Sequence, residues 1–280
     1  MRFAKYHGIG NDFVMVADPD DRIRLTPEVV RRLCDRRFGI GGDGVIRVAP
    51  GQDGADFVMD YVNSDGSVGE MCGNGIRCLA VFAADEGLTT DDQLKVATGA
   101  GLKVVQRMGD RVRVDMGPPI FEPSAIPVRW DGSDALHAYA EVDGTRIDFA
   151  CVSIGNPHAV LFVDDPRDAP VTTLGPKLEH HPIFPNGGNV EFVRVESPER
   201  VTMRVWERGS GETLACGTGA CAVAVVSRLL HGTNQNLTVA LPGGELEIEW
   251  NGDLDAEASV LMTGPVIKVY DGEVEVEGIG

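Results

Sequence analysis

Two short glycine-rich segments each place one cysteine where it could take part in acid–base chemistry. They read CGNG from Cys72 and CGTG from Cys216, and an apolar run follows each of them. If these runs are helices, each thiol lies near a helix N-terminus, whose unpaired N–H groups lower its pKa from about 8.5. The glycines leave those N–H groups uncovered for an anion. One such motif is more often a packing feature, but its duplication favours a shared chemical role.

Two thiols of this kind are suited to inverting a stereocentre. A thiolate removes a proton from one face of a carbon, and a thiol delivers a proton to the opposite face. Cysteine can fill either role because its pKa lies near neutrality. The carbanion formed between the two steps pushes charge onto the adjacent carboxylate, which two helix N-termini would stabilise. The pair of motifs therefore favours an inverting enzyme.

The helices that must position these thiols are predicted from apolar runs and end signals. Residues 75–87 and 219–232 are apolar most of the way round and stop at a glycine, which predicts two buried helices. A third helix is predicted to begin with Thr26 as N-cap and Pro27 in its first position, and to end before Gly39.

Strands are predicted where polar and apolar residues alternate. Three such stretches, 111–117, 200–206 and 245–250, indicate half-exposed antiparallel strands rather than a parallel sheet. With the duplicated motif, they predict an α+β fold of two pseudo-symmetric β-rich domains. Each domain is expected to wrap a central buried helix, and the active site is expected in the cleft between them.

Prolines concentrate at 117–124, and a second Gly-Pro follows at 264–265, which marks two candidate domain boundaries. The predicted domains are residues 1–117 with about 264–280, which carry Cys72, and residues 118–263, which carry Cys216.

The composition excludes several classes of partner. A net charge of −18 argues against nucleic-acid binding. The longest apolar stretches, such as 220–226, are too short to span a membrane, and the N-terminal residues lack the apolar core of a signal peptide.

Six cysteines in 280 residues are too few for a disulfide scaffold, so reduced thiols in a cytoplasmic protein are expected. The spacings of Cys72 to Cys78 and of Cys216 to Cys221 are wider than those of structural zinc sites, so no metal is expected. We interpret Cys34, Cys78, Cys151 and Cys221 as packing residues.

The motifs resemble those of the diaminopimelate epimerase family, which interconverts LL- and meso-2,6-diaminopimelate without pyridoxal phosphate. The matching segments occur in order over almost the whole chain: HGIGNDF (7–13), NSDGSVGEMCGNGIRC (63–78), GNPHAV (155–160), GNVEF (188–192) and ERGSGETLACGTGACA (207–222). The resemblance implies a cofactor-independent isomerase of lysine and peptidoglycan precursor synthesis that forms a homodimer.

The resemblance also implies roles for individual residues. Cys72 and Cys216 would be the acid–base pair, and His158 and Glu207 would tune the two thiols. The reacting α-carboxylate and ammonium would be held by Gly73, Asn74, Gly217 and Thr218. The distal end of the substrate would be held by Asn11, Asn63, Asn156, Asn189 and Arg208, with Glu207 beside them. Asparagines offer a donor and an acceptor, and an arginine can clamp a carboxylate through two hydrogen bonds.

Structural interpretations of the same residues stay open. Asn63 and Asn189 lie in glycine-containing turn sequences and could be ordinary turn residues. His158 could be a structural histidine, and Arg208 could be solvated. One position departs from the family: many members have a glutamine that touches the substrate where this chain has Gly44, so that contact is not expected here.

Three rival functions remain. A proline or hydroxyproline racemase would share the fold, but that family carries histidine where this chain has Asn74. A thiol–disulfide protein would pair Cys72 with Cys216, yet the motifs lack the C-x-x-C arrangement. A pyridoxal enzyme needs a Schiff-base lysine, and no motif segment contains one.

Overall fold

The protein is described by a computed structural model over residues 1–69, 71–132, 134–254 and 257–275. The described residues form a mixed α+β structure that is mostly sheet. Its helices are α1 (Pro27–Cys34), α2 (Gly73–Asp85), α3 (Val171–Glu179), α4 (Gly217–His231) and a short 3₁₀ helix, Ala135–His137.

The strands fall into three groups along the chain. The first group is β1 (Arg2–Gly8), β2 (Asn11–Ala17), β3 (Gly44–Pro50), β4 (Phe57–Asn63), β5 (Val68–Gly69), β6 (Gln93–Thr98), β7 (Gly101–Met108) and β8 (Arg111–Asp115). The second is β9 (Ala138–Val142), β10 (Thr145–Ser153), β11 (Pro157–Phe162), β12 (Asn189–Ser197), β13 (Arg200–Glu207), β14 (Gly211–Thr213), β15 (Asn236–Leu241) and β16 (Gly244–Glu249). The last is β17 (Leu261–Pro265) and β18 (Ile267–Glu273).

The chain divides into two compact units. The first comprises Met1–Asp115 together with the segment from Thr263 onward, and the second comprises Met116–Met262. That these units are domains with the bounds taken from the sequence stays a prediction.

The first unit is a mixed sheet. Strand β1 pairs antiparallel with β18 and with β2, and β2 runs parallel to β3. Strand β4 is antiparallel to β3 and to the short β5, and parallel to β6. Strands β6, β7 and β8 continue as an antiparallel meander, and β8 also pairs with β17.

The second unit repeats this order. Strand β10 pairs antiparallel with β9 and β11, and β11 runs parallel to β12. Strand β13 is antiparallel to β12 and to the short β14, parallel to β15, and β15 pairs antiparallel with β16. A helix bridges each parallel step: α1 and α2 in the first unit, α3 and α4 in the second.

The second helix of each unit is its centre. Helix α2 contacts β1, β2, β3, β7 and β8, and α4 contacts β10, β11, β12, β13, β15 and β16. Most residues of both helices are buried, as an apolar surface on nearly every side requires. The predicted fold class, two pseudo-symmetric β-rich units that each wrap a central helix, is confirmed.

Three local predictions need correction. Helix α1 starts at Pro27 after the Thr26 cap as expected, but it ends at Cys34, well before Gly39. The reason is Asp35, whose carboxylate accepts hydrogen bonds from the backbone N–H groups of Arg37 and Phe38 and turns the chain.

The second correction concerns strand direction. Residues 200–206 form part of β13, which has an antiparallel neighbour but also runs parallel to β15. The sheets are therefore mixed rather than antiparallel. The third concerns α2 and α4, which each start two residues earlier than predicted, directly after the motif cysteine.

Among the described residues, no helix has both the length and the apolar character needed to cross a membrane.

Candidate active site

Both motif cysteines are the N-caps of central helices. Cys72 precedes α2 and Cys216 precedes α4, each in an extended backbone conformation. The Sγ of Cys72 accepts a hydrogen bond from the Gly75 N–H at 3.4 Å, and the Sγ of Cys216 accepts one from the Gly219 N–H at 3.4 Å. Each sulfur thus takes the place that a serine or aspartate oxygen fills at an ordinary N-cap.

Around Cys72, asparagine side chains form a connected polar group. The Asn11 Oδ1 accepts from Asn74 Nδ2 at 3.1 Å and lies 3.5 Å from the Cys72 Sγ, which can donate to it. The Asn11 Nδ2 donates to Asp43 at 2.7 Å. Asn11 therefore joins two other sequence-predicted residues of the first unit, Cys72 and Asn74.

Arg77 contacts this group of asparagines through Asn74, and it was not among the residues predicted from the sequence. Its side chain is fully buried on α2, donating to the Asn74 Oδ1 at 2.9 Å and to the Gly73 carbonyl at 3.2 Å. A buried guanidinium stays charged, so it adds positive charge at the start of α2. It also fixes which way the Asn74 amide points.

Asn63 ends β4 and stands opposite Gly44 in the β3–β4 ladder. Its Nδ2 donates to the Ser67 hydroxyl at 3.0 Å, within the turn to β5. A side chain at Gly44 would collide with its neighbours, since a Cβ there would lie 2.6 Å from the Tyr61 ring and 2.7 Å from the Val62 carbonyl oxygen. The Tyr61 ring fills the space that a larger residue 44 would need.

In the second unit, the carboxyl groups of Glu207 and Glu191 lie near Cys216. Burial raises its pKa well above the ordinary value, and the carboxylates of Glu207 and Glu191 raise it further, against the hydrogen bonds from Thr218 and the Gly219 amide. The expectation that a helix N-terminus lowers the thiol pKa is thus wrong for Cys216. Burial and two carboxylates outweigh the N–H groups.

Glu207, at the end of β13, contacts Cys216 directly. Burial raises the pKa of Glu207, although hydrogen bonds from Thr213 and Cys216 act in the opposite direction. The Thr213 hydroxyl donates to Glu207 Oε1. Glu207 therefore lies beside Cys216, and its predicted role in tuning a thiol stays a prediction.

His158 forms a buried chain with Asn156 and Glu191. Its Nδ1 lies 2.6 Å from Glu191 Oε1, and its Nε2 lies 2.9 Å from Asn156 Oδ1. The side chains of His158 and Glu191 have no exposed surface. The two contacts hold the imidazole ring between the carboxylate of Glu191 and the side-chain amide of Asn156.

Asn189 and Arg208 are joined through the backbone. The Asn189 Oδ1 accepts from the Arg208 N–H at 3.0 Å, and its Nδ2 donates to the Pro157 carbonyl at 2.9 Å. The Arg208 side chain is exposed and donates weakly to the Asn186 carbonyl at 3.4 Å. Asn189 thus holds the ends of β11, β12 and β13 together.

The structure adds Glu191 to the residues that sequence reasoning selected. An acid inside an otherwise buried strand was the available signal, in the segment GNVEF. Its partner His158 lies 33 residues away in sequence, so their pairing could not be inferred without the β11–β12 register.

The other four cysteines are buried. All six cysteines are free thiols, and Cys34, Cys78, Cys151 and Cys221 are buried. Burial raises the pKa of Cys34 and of Cys78 to about 12 and also raises that of Cys151, as for inert packing residues. Within the described part of the chain, no three His, Cys, Asp or Glu side chains are grouped so as to hold a metal ion.

Comparison with known proteins decides the family. The diaminopimelate epimerase family model matches residues 3–122 and 150–269. The diaminopimelate epimerase of Leptospira biflexa is 47% identical over 283 residues, covering 99% of both chains. That of Synechococcus elongatus is 47% identical over 280 residues, covering 98% of both chains.

The chain belongs to the diaminopimelate epimerase family. The family prediction is confirmed, and with it the prediction that this protein is an isomerase.

The fold of this family is also found in other proteins. A phenazine biosynthesis protein of the PhzF family from Bacillus anthracis superposes with a TM-score of 0.71 at 17% identity, covering 99% of both chains. A hydroxyproline epimerase from Agrobacterium vitis gives 0.68 at 17% identity, covering 98% of this chain and 90% of its own. At such identities the likeness concerns the fold alone.

Proposed function

We propose that this protein interconverts LL-2,6-diaminopimelate and meso-2,6-diaminopimelate, an epimerisation in lysine and peptidoglycan precursor synthesis. The observation that carries the proposal is the duplicated N-cap cysteine in a chain 47% identical to diaminopimelate epimerases over nearly its full length. A thiol at the start of a buried helix combines an acid–base group with N–H donors for an anion.

In the proposed mechanism, Cys72 and Cys216 act on opposite faces of the substrate α-carbon. One thiolate takes the α-proton and becomes a thiol, the electron pair stays on carbon and delocalises into the α-carboxylate, and the other thiol gives up its proton to the opposite face. The reverse direction exchanges the roles. The backbone amides that follow each cysteine, at Gly73 and Asn74 and at Gly217 and Thr218, stabilise the charge on that carboxylate.

The distal amino-acid end of the substrate is assigned to the remaining polar residues. Arg208 supports this assignment because its exposed guanidinium can pair with a carboxylate. Asn11, Asn63, Asn156 and Asn189 offer amide donors and acceptors, and Glu207 can receive an ammonium. His158 and Glu207 are assigned to tuning the thiols, and for Glu207 its hydrogen bond with Cys216 supports this role.

The proposal is tested by isotope exchange. Purified protein without added cofactor is incubated with LL-diaminopimelate in deuterated water, and proton NMR follows the α-hydrogen while chiral chromatography follows the meso isomer. We expect exchange and epimerisation together, and neither with a Cys72→Ser/Cys216→Ser variant. Proline under the same conditions should not exchange; exchange of proline without that of diaminopimelate would replace this proposal by the proline racemase reaction.

The reaction as proposed needs no pyridoxal phosphate and no metal. We expect activity to survive dialysis against a chelator and hydroxylamine, and irreversible loss would contradict this. A cytoplasmic location and a homodimer are proposed on the same family grounds. Sedimentation of the purified protein at several concentrations tests the dimer.

A further inference from the structure

Equivalent positions in the two units can be assigned from strand register. In the parallel pair β2–β3, Phe13 stands opposite Gly44. In the parallel pair β11–β12, His158 stands opposite Asn189. Gly44 is in turn opposite Asn63 in the β3–β4 ladder. The antiparallel β12–β13 ladder pairs Val190 with Trp206, so Asn189 and Glu207 stand in the equivalent place.

Glu191 then corresponds to Ile46, because Glu191 lies two residues after Asn189 on β12 and Ile46 lies two residues after Gly44 on β3. The contacts with the central helices agree. A Cβ placed on Gly75 would lie 2.7 Å from Ile46 Cδ1, and a Cβ placed on Gly219 would lie 2.8 Å from Glu191 Oε1. Gly75 and Gly219 are the residues three after Cys72 and Cys216.

The same buried place is therefore filled in two different ways. The first unit has the apolar side chains of Phe13 and Ile46, neither of them exposed. The second unit has His158 and Glu191, which are equally buried and 2.6 Å apart. Burying ionisable groups is costly compared with apolar residues of similar size. Since the fold accepts an apolar pair here, the ionisable pair serves something other than folding.

The adjacent group on which it can act is the Cys216 thiol. The point where a Cβ of residue 219 would stand lies 2.8 Å from Glu191 Oε1 and 3.2 Å from Cys216 Sγ. The titratable groups that face this helix start from neighbouring strands are Glu191 on β12, Glu207 on β13 and His158 on β11. Cys151 on β10 lies near Glu191, and the glutamates of β16 alternate with its buried residues. A carboxylate in these surroundings favours the uncharged thiol.

The first unit lacks both carboxylates at the equivalent positions and has a cation nearby instead. Ile46 replaces Glu191, Asn63 replaces Glu207, and the buried Arg77 stands where the second unit has Cys221. The two cysteines, alike in their caps, therefore lie in environments of different charge.

We propose that Glu191 is a positioning residue that, through its place beside the start of α4, keeps Cys216 in the protonated form in the free enzyme. The protonation of Cys216 does not depend on the proposed function, but its consequence for catalysis does. If the protein is the proposed epimerase, Cys216 begins as the proton donor and Cys72 must begin as the base. The Glu191 side chain has no exposed surface, so it is placed to act through the thiol and not by direct contact with a ligand.

The test measures the protonation of Cys216 without substrate. In a Cys72→Ser background, the rate of alkylation of Cys216 by iodoacetamide is followed against pH by peptide mass spectrometry. The rate plateau at high pH reports access to the sulfur, and the midpoint reports its protonation. Glu191→Gln keeps the shape and an acceptor for His158 but removes the charge. We expect the midpoint to move to lower pH, with alkylation below the midpoint about tenfold faster for a shift of one unit.

Two further variants protect the conclusion. His158→Phe/Glu191→Ile copies the apolar pair of the first unit into the second, and it should shift the midpoint in the same direction if Glu191→Gln does not fold. Glu179→Gln changes another buried glutamate of the second unit, one that accepts from Trp206 Nε1 and the Gly209 amide. It should leave the midpoint unchanged. A midpoint that is unchanged or higher in folded Glu191→Gln overturns the proposal.

Activity provides a second readout. If diaminopimelate is the substrate, Glu191→Gln should lower kcat and leave KM nearly unchanged, because the residue acts on the thiol and not on binding. Absence of any exchange with diaminopimelate would reject the proposed function and leave the alkylation result standing. An unshifted midpoint would reject the role of Glu191 and leave the epimerase proposal intact.

Discussion

Cys72 and Cys216 hold the same place in their two units: each caps the central helix, and each Sγ accepts the N–H of the glycine three residues later at 3.4 Å. Their surroundings differ. Cys72 contacts an asparagine, whereas Cys216 contacts a glutamate. The pair is alike in backbone geometry and unlike in charge.

Single cysteine variants should separate the two half-reactions. In Cys72→Ala, the thiolate form of Cys216 can still remove the α-hydrogen of the isomer that presents it to Cys216, but inversion lacks its proton donor on the opposite face. We expect epimerisation to fall by at least about a hundredfold. Exchange with deuterium should persist for one stereoisomer, and Cys216→Ala should show the opposite preference. Equal residual exchange of both isomers in both variants would mean a single base.

The capping role of Cys72 should be visible in stability. Cys72→Ser keeps a hydrogen-bond acceptor for the Gly75 N–H, and Cys72→Ala removes it. We expect the alanine variant to be less stable by about 1 kcal/mol in urea unfolding. At Cys78, in the interior of the same helix, alanine should be as good as serine or better. The same order at both positions would show that the sulfur does not cap the helix.

Glu207 should oppose stability while it serves activity. Its pKa is raised in the folded protein, chiefly by burial, so its stabilising contribution is present below the unfolded value near 4.5 and is lost as the pH rises through the folded value. Glu207→Gln should therefore be more stable than the parent at neutral pH, by about 1 kcal/mol, with the difference shrinking in acid. Epimerisation should fall.

The control for this prediction is Glu122→Gln, which changes an exposed glutamate of the same unit. Its effect on the free energy of unfolding should stay small from pH 4.5 to 7. If Glu207→Gln were less stable than the parent at neutral pH, the ionised Glu207 would be a stabilising group.

Gly44 should be intolerant of a side chain. Gly44→Ala brings a Cβ against the Tyr61 ring and the Val62 carbonyl, and we expect a loss of about 1–3 kcal/mol from overpacking. In a double-mutant cycle with Tyr61→Ala, the double variant should lose less stability than the sum of the losses in the two single variants. The reason is that truncating the ring frees part of the space. Stability equal to the parent would show that β3 and β4 can separate without cost.

The motifs and their duplication could be found in the sequence because they are local. Each cysteine lies next to its glycines and its apolar run, and the family resemblance extended this to the asparagines. Strand direction could not be found, since the alternation of β13 is the same beside a parallel or an antiparallel neighbour. The end of α1 depended on the Asp35 side chain, which turns the backbone before the apolar pattern stops.

The electrostatics of the site required the structure. His158 and Glu191 meet only because β11 and β12 are neighbours in register, and the burial of Cys216 reverses the pKa shift that a helix start alone suggests. Asn189 similarly has two backbone partners that no turn signal reveals. These are properties of residues brought together by folding, and they carry no signature in either segment alone.

The repeated strand order gives each position of one unit a counterpart about half the chain away in the other. Phe13 with Ile46 and His158 with Glu191 fill one such pair of positions with different chemistry. A substitution that the first unit tolerates can therefore be harmful at the equivalent position of the second. Tolerance measured in the first half of the chain is thus no guide to tolerance in the second.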